Sequence, residues 1–192
     1  MKHIPAAIAA ETARRRVERS FAFRLDALAS AVWPSFRRPL SPSRPLPFLE
    51  LVWMPQYLMT FGMHGVRGPE TACVTVDAYS GQFALFFAQA QVRDGDPDGE
   101  RPTPELAQER AESIARANAH KWLLRYHRAR KLTIGAVEAI DVLRYPFWVY
   151  YYQRRRGLLD VKIVDAVTGE LPGSKTKYGI VRAFERLAQR PA

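Results

Sequence analysis

The chain has 192 residues, 47% hydrophobic and 25% charged, with a formal net charge of +10. This near-average composition excludes wholesale disorder, and the length allows one medium domain or two small ones. The charge favours acidic partners such as nucleic acid, anionic lipid or an acidic protein. A single cysteine, Cys73, leaves no intramolecular disulfide, which suits a reducing compartment.

No apolar run approaches the roughly 18 to 20 residues that span a bilayer. The stretch from Met1 to Ala10 meets Glu11 and Arg14-Arg15-Arg16 at once, too soon charged for a signal peptide. The acids Glu11, Glu18 and Asp26 argue against a transit peptide, so a cytoplasmic protein without a transmembrane segment is expected.

In chain order, Val17, Phe21, Leu25, Leu28 and Val32 share one face of a first helix. An aromatic and β-branched strand runs from Phe48 to Phe61 around Pro55. A second strand covers Ala72 to Asp77. The segment Asp77-Ala78-Tyr79-Ser80-Gly81 makes a tight turn, the carboxylate accepting backbone N–H groups and glycine taking positive φ. Gln82 to Ala90 returns as a third strand. Thr103 before Pro104, with Glu105 near the positive helix end, predicts a helix from Pro104 to Arg130. Ala107, Ala111, Ile114, Ala115, Asn118, Trp122, Tyr126 and Ala129 form its face.

A strand then spans Val137 to Tyr152 around Pro146, with Leu143, Tyr145, Phe147, Val149 and Tyr151 alternating on one side. Proline inside a strand predicts an edge, a bulge or a bend at Pro55 and Pro146. Leu159 to Asp165 is the next strand, followed by a turn with Asp165 and Gly169. Pro172 and Gly173 curtail a further strand, and Tyr178 to Leu187 closes the chain as a helix.

These elements repeat. Val76-Asp77-Ala78-Tyr79-Ser80-Gly81 recurs as Val164-Asp165-Ala166-Val167-Thr168-Gly169 at an offset of 88, and the prolines recur at 91. The expected fold is α+β, two repeated modules that each pack a helix on their own small antiparallel sheet. Residues 1–92 form the first module, 93–103 a linker and 104–192 the second. Sheets of similar shape could also join edge to edge, within the chain or across a homodimer.

The helix from Glu105 to Arg130, the strand around Val149 and the segment Val164 to Glu170 together resemble a PepSY-type module, related to half of a cystatin-like fold. A fainter copy covers Glu11 to Ala90. The resemblance implies non-catalytic binding or restraint of a partner protein. The chain departs from that pattern in its strong basicity and in the absence of an export signal.

Asp94, Asp96 and Asp98, with Gly99 and Glu105, match the spacing of a calcium loop. Arg101 and prolines 97, 102 and 104 favour a polar linker instead. Gly169 to Thr176 falls one glycine short of a phosphate loop, at Ser174. Cys73 with His64 and Glu70 would make a thiol nucleophile with a base, against a buried strand cysteine. His120 and His127 are seven apart, too far for a tight chelating pair. Basic and aromatic clustering points to single-stranded RNA or DNA through Tyr150, Tyr152, Arg154, Arg155, Arg156, Arg128 and Lys131. The alternative account places alternate aromatics in the core. The reading these features favour is a non-catalytic intracellular protein that recognises a protein partner, by strand addition at edges beside Pro55 and Pro146. Nucleic-acid binding and a calcium-dependent module are the alternatives.

Overall fold

The computed structural model describes residues 1–20, 45–65, 68–99, 101–126, 132–153 and 159–188. Its elements are β1 (Lys2–His3), α1 (Ala10–Arg19), β2 (Phe48–Gly65), β3 (Gly68–Asp77), β4 (Phe83–Leu85), a 3₁₀ turn (Gln89–Gln91), β5 (Arg93–Asp94), α2 (Gln108–Tyr126), β6 (Thr133–Gln153), β7 (Leu159–Asp165) and α3 (Ser174–Ala188). The protein is mixed α and β, with three helices among the described residues and a seven-stranded sheet. Strand order is β4-β3-β2-β6-β1-β5, and β7 pairs with β6. The chain divides into two compact units inside β2 and β6, beside Pro55 and Pro146.

The first unit takes Met1–Ile4, Met54–Pro97 and Thr103–Tyr145. Tyr57, Met59 and Phe61 alternate along β2 and turn inward with Val74 and Val76 of β3, the period of two that a half-buried strand requires. Ala111 and Ala115 of α2 close this core, with Phe83, Leu85, Leu106 and Ile114 around them. Small residues let α2 lie close against β3 and β4. Phe61 is fully buried, and truncating such a side chain to alanine costs about 3–5 kcal/mol. Arg116 fixes the far flank of α2: its guanidinium donates to the Gly135 carbonyl at 3.0 Å and to Glu112 at 3.2 Å, and lies over the Phe61 ring.

The second unit takes Pro5–Trp53, Asp98–Pro102 and Pro146–Ala192. Here α1 covers β7, and Ala13 and Val17 pack with Tyr150, Tyr152 and Val164. The opposite side of β6 is buried too: Tyr151 stacks on Phe48 with ring centroids 4.4 Å apart and tilts against Phe184 of α3 at 6.1 Å. Its hydroxyl donates to the Glu50 carboxylate. Asp160 accepts from the Tyr152 hydroxyl at 3.0 Å and from Lys177 at 2.8 Å.

The two Asp-containing turns make matching hydrogen bonds. Asp77 Oδ1 accepts from the Tyr79 and Ser80 amides, and Asp165 Oδ1 from those of Val167 and Thr168. The Gly81 amide donates to the Asp77 carbonyl and that of Gly169 to the Asp165 carbonyl, with φ of 67° and 75°. In register, Ala78 stands opposite Pro55 and donates to its carbonyl at 3.1 Å, as Ala166 does to Pro146 at 3.1 Å. An ordinary residue would return an N–H bond across such a pair. Proline cannot, so the Ala78 carbonyl instead accepts the amides of Glu105 and Leu106, at 3.2 and 2.8 Å. The Ala166 carbonyl accepts those of Ala7 and Ile8, both at 2.8 Å. Side chains clamp the same segments: the Tyr57 hydroxyl donates to the Leu106 carbonyl and Trp148 Nε1 to that of Ile8, both at 2.7 Å.

This arrangement corrects the expected packing of each helix on its own sheet. The helix from the second half of the sequence, α2, lies on β3 and β4, while α1 lies on β7. Each is held where its leading segment meets the carbonyl released by a proline. The helix α2 begins at Gln108 rather than at Pro104, after the segment whose Glu105 and Leu106 amides bond to the Ala78 carbonyl. The expected third strand shortens to Phe83–Leu85, and the last helix starts earlier, at Ser174. Phe21, Leu25, Leu28 and Val32 lie outside the described residues.

Replacing Pro55 or Pro146 by alanine adds an N–H aimed at a carbonyl whose acceptor sites are filled. The expected result is a loss of about 1 kcal/mol in chemical denaturation, although proline usually weakens a strand. A gain in stability would refute this role.

Candidate partner-binding edge

β4 ends the strand order. It pairs with β3 through Val74↔Leu85, Thr75↔Ala84 and Val76↔Phe83. The Asp77 amide donates to the Gln82 carbonyl and the Phe86 amide to the Cys73 carbonyl. By antiparallel alternation Ala84 bonds inward, while Phe83 and Leu85 turn their N–H and C=O groups away from β3. Their side chains pack on the core. Phe86 is buried, and its neighbour Phe87 is 82% exposed. Among the described residues, an open main-chain edge therefore ends beside a solvent-facing aromatic ring.

One flank of α2 runs along this edge. A Cβ placed on Gly81, in the turn before β4, would lie 3.2 Å from Ile114 Cδ1. Residues at helical spacing from Ile114 are Arg110, Asn118, Lys121 and Arg125. The opposite flank, through Glu112 and Arg116, faces Gly135 of β6. The β4 side of α2 thus bears three cationic residues and no acid.

The residues expected to bind nucleic acid are placed differently. Tyr150 and Tyr152 are 3% and 8% exposed, since α1 covers their side of β6. Rings so enclosed present little face to solvent on which a base could stack. Arg128, Lys131, Arg154, Arg155, Arg156 and His127 lie outside the described residues. Asp77, Gly81, Asp165 and Gly169 form turns as expected.

The acidic residues from 94 to 105 serve several structures. Asp94 belongs to β5 and pairs with Lys2 of β1. Asp98 gives its carbonyl to Trp53 Nε1 at 2.7 Å, Asp96 is exposed, and the Glu105 amide goes to Ala78. Among the described residues, no three His, Cys, Asp or Glu side chains gather as a metal site. Gly169 is a turn residue whose carbonyl accepts from Arg16, and Ser174 opens α3. His120 is exposed on α2.

Cys73 is half-buried opposite Thr60, its Sγ 3.5 Å from the hydroxyl. Glu70 and His64 are three and four rungs further along this ladder, opposite Met63 and Pro69. Both line an open depression of about 350 Å³ with Gly62, Met63, Pro69, Thr71 and Glu138. Cys73 does not line it, so the three groups do not form one site.

Burial raises the Tyr57 phenol above its ordinary pKa, with a smaller push from the Glu109 carboxylate. Tyr150 is raised for the same first reason, with the nearby Glu18 carboxylate adding to it. Comparison with protein-family models, curated proteins and solved structures finds no match.

The raised phenols favour the neutral form in the folded state. Their contribution is present below the ordinary tyrosine value, about 10, and is lost as pH rises through the higher folded value. Tyr57→Phe and Tyr150→Phe are expected to flatten the alkaline fall in stability, read as denaturation midpoints between about pH 8 and 11. An unchanged slope in both variants would contradict the assignment.

Proposed function

We propose that the protein is a non-catalytic binding protein whose partner is another protein, taken up as an extended segment along β4. The observation that carries this reading is the pairing of an outward-facing strand edge with an 82% exposed phenylalanine, Phe87. A strand edge supplies main-chain hydrogen bonds to an added strand, and an exposed aromatic is a common anchor at protein interfaces. The burial of Tyr150 and Tyr152 weighs against stacking on single-stranded nucleic acid.

In this reading the chain comprises two copies of one helix-and-hairpin module that have exchanged helices. The matched turn bonds at Asp77 and Asp165, and the matched clamps by Tyr57 and Trp148, support it. The PepSY-like reading of the turn signature belongs to the same proposal. Only the first copy has a β4 strand beside its hairpin among the described residues, so the copies differ at the surface proposed to bind.

A photo-crosslinking residue at position 87, compared with one at exposed Glu11, tests the reading in the native host. We expect adducts from position 87 that map to one segment of one protein. That protein, purified, should bind Phe87→Ala about tenfold more weakly. Equal adducts from both positions would refute the edge. Tight binding of single-stranded RNA at about 0.15 M salt without a protein adduct would replace this reading with the nucleic-acid one.

A further inference from the structure

Resting on that reading, we propose that the segment docked on β4 is acidic, with carboxylate side chains facing α2 and an apolar side chain against Phe87. A strand added to an open edge continues the sheet at about 4.8 Å from its neighbour, so the side chains on its α2 face pass beside the flank of α2 that borders β4. The charged residues there are Arg110, Lys121 and Arg125.

The local pattern is one-sided. Glu112 turns to the other flank and is held by Arg116 at 3.2 Å. The stretch from Gln82 to Val92 contains no charged residue, so β4 does not neutralise the cations. Ile114 and Asn118 separate Arg110 from Lys121 along the stripe. Arg110 and Lys121 are therefore about three helical turns apart, about 16 Å at 1.5 Å per residue. An extended chain places side chains on one face about 7 Å apart, so carboxylates two positions apart on that face span a similar distance. A docked basic segment would instead meet like charges along its whole length, on a protein of net charge +10.

The test uses the full chain and a fluorescein-labelled peptide alternating glutamate with valine, beside counterparts carrying lysine or glutamine in place of glutamate. We expect the glutamate peptide to bind at least about tenfold more tightly than the lysine peptide. The preference should shrink as salt rises from about 0.05 to 0.5 M. The double variant Arg110→Glu with Lys121→Glu, its fold checked by circular dichroism, is expected to invert it. Phe87→Ala should weaken every peptide about equally.

An acidic preference that survives the double charge reversal would place binding elsewhere on the basic surface and overturn the proposal. Equal binding of all three peptides, still lost in Phe87→Ala, would overturn the acidic chemistry and leave protein recognition at β4 standing. Failure of every peptide to bind would overturn the docked segment, and the crosslinking at position 87 separately decides whether protein recognition falls with it. A dimer in sedimentation that is lost in Phe87→Ala would identify a second copy of this chain as the occupant and likewise overturn the proposal.

Discussion

Pro55 and Pro146 each withhold one hydrogen-bond donor, and the helices of both units are placed by what that omission releases. A strand pair usually spends both carbonyls on each other. Here the carbonyls of Ala78 and Ala166 receive no donor from the proline opposite them. Each takes two successive amides from the segment that leads into a helix, Glu105 and Leu106 in one case, Ala7 and Ile8 in the other. The Asp77 and Asp165 turns hold the alanines in position, and Tyr57 and Trp148 grip the incoming segments from the side. A local covalent fact, a ring closed on nitrogen, thus selects a long-range contact.

The arrangement also fixes where each helix starts. The first four amides of a helix have no partner within it. Before α1 and α2 the residues leading into the helix give their amides to a strand-end carbonyl, which fixes the entry of the chain; at α1 the N-cap Ala9 makes no side-chain cap bond. The small faces of the helices, Ala13 on α1 and Ala111 and Ala115 on α2, can then approach the strands closely without a bulky wedge.

Much of this is legible in the amino-acid sequence. The Asp-Ala-X-Ser/Thr-Gly segments identify their turns because carboxylate acceptance and positive φ are local requirements. The strands around the two prolines follow from β-branched and aromatic content. Which hairpin each helix covers is not legible, because that choice depends on a carbonyl left vacant far away in sequence. The tyrosines mislead for a related reason. Alternation marks a strand with one covered face, but β6 around Tyr150, Tyr151 and Tyr152 is covered on both, and the sequence pattern does not distinguish exposed rings from enclosed ones. At the β4 edge, adjacent Phe86 and Phe87 point opposite ways as residues of an extended chain do, and there one ring is buried and the other exposed.

The interleaving of the two units has a consequence for synthesis on the ribosome. The first unit closes only when Thr103–Tyr145 has been made, and the second joins Pro5–Trp53 to Pro146–Ala192. Until β7 emerges α1 has no strand to cover, so Ala13 and Val17 remain without their partners in Tyr150 and Val164. Contacts of such sequence separation form slowly. The nascent chain must carry an uncovered helix while well over a hundred further residues are added, about 130 from Val17 to Tyr150. That makes the early phase of its life, rather than the finished fold, the stage most exposed to chaperones and to aggregation.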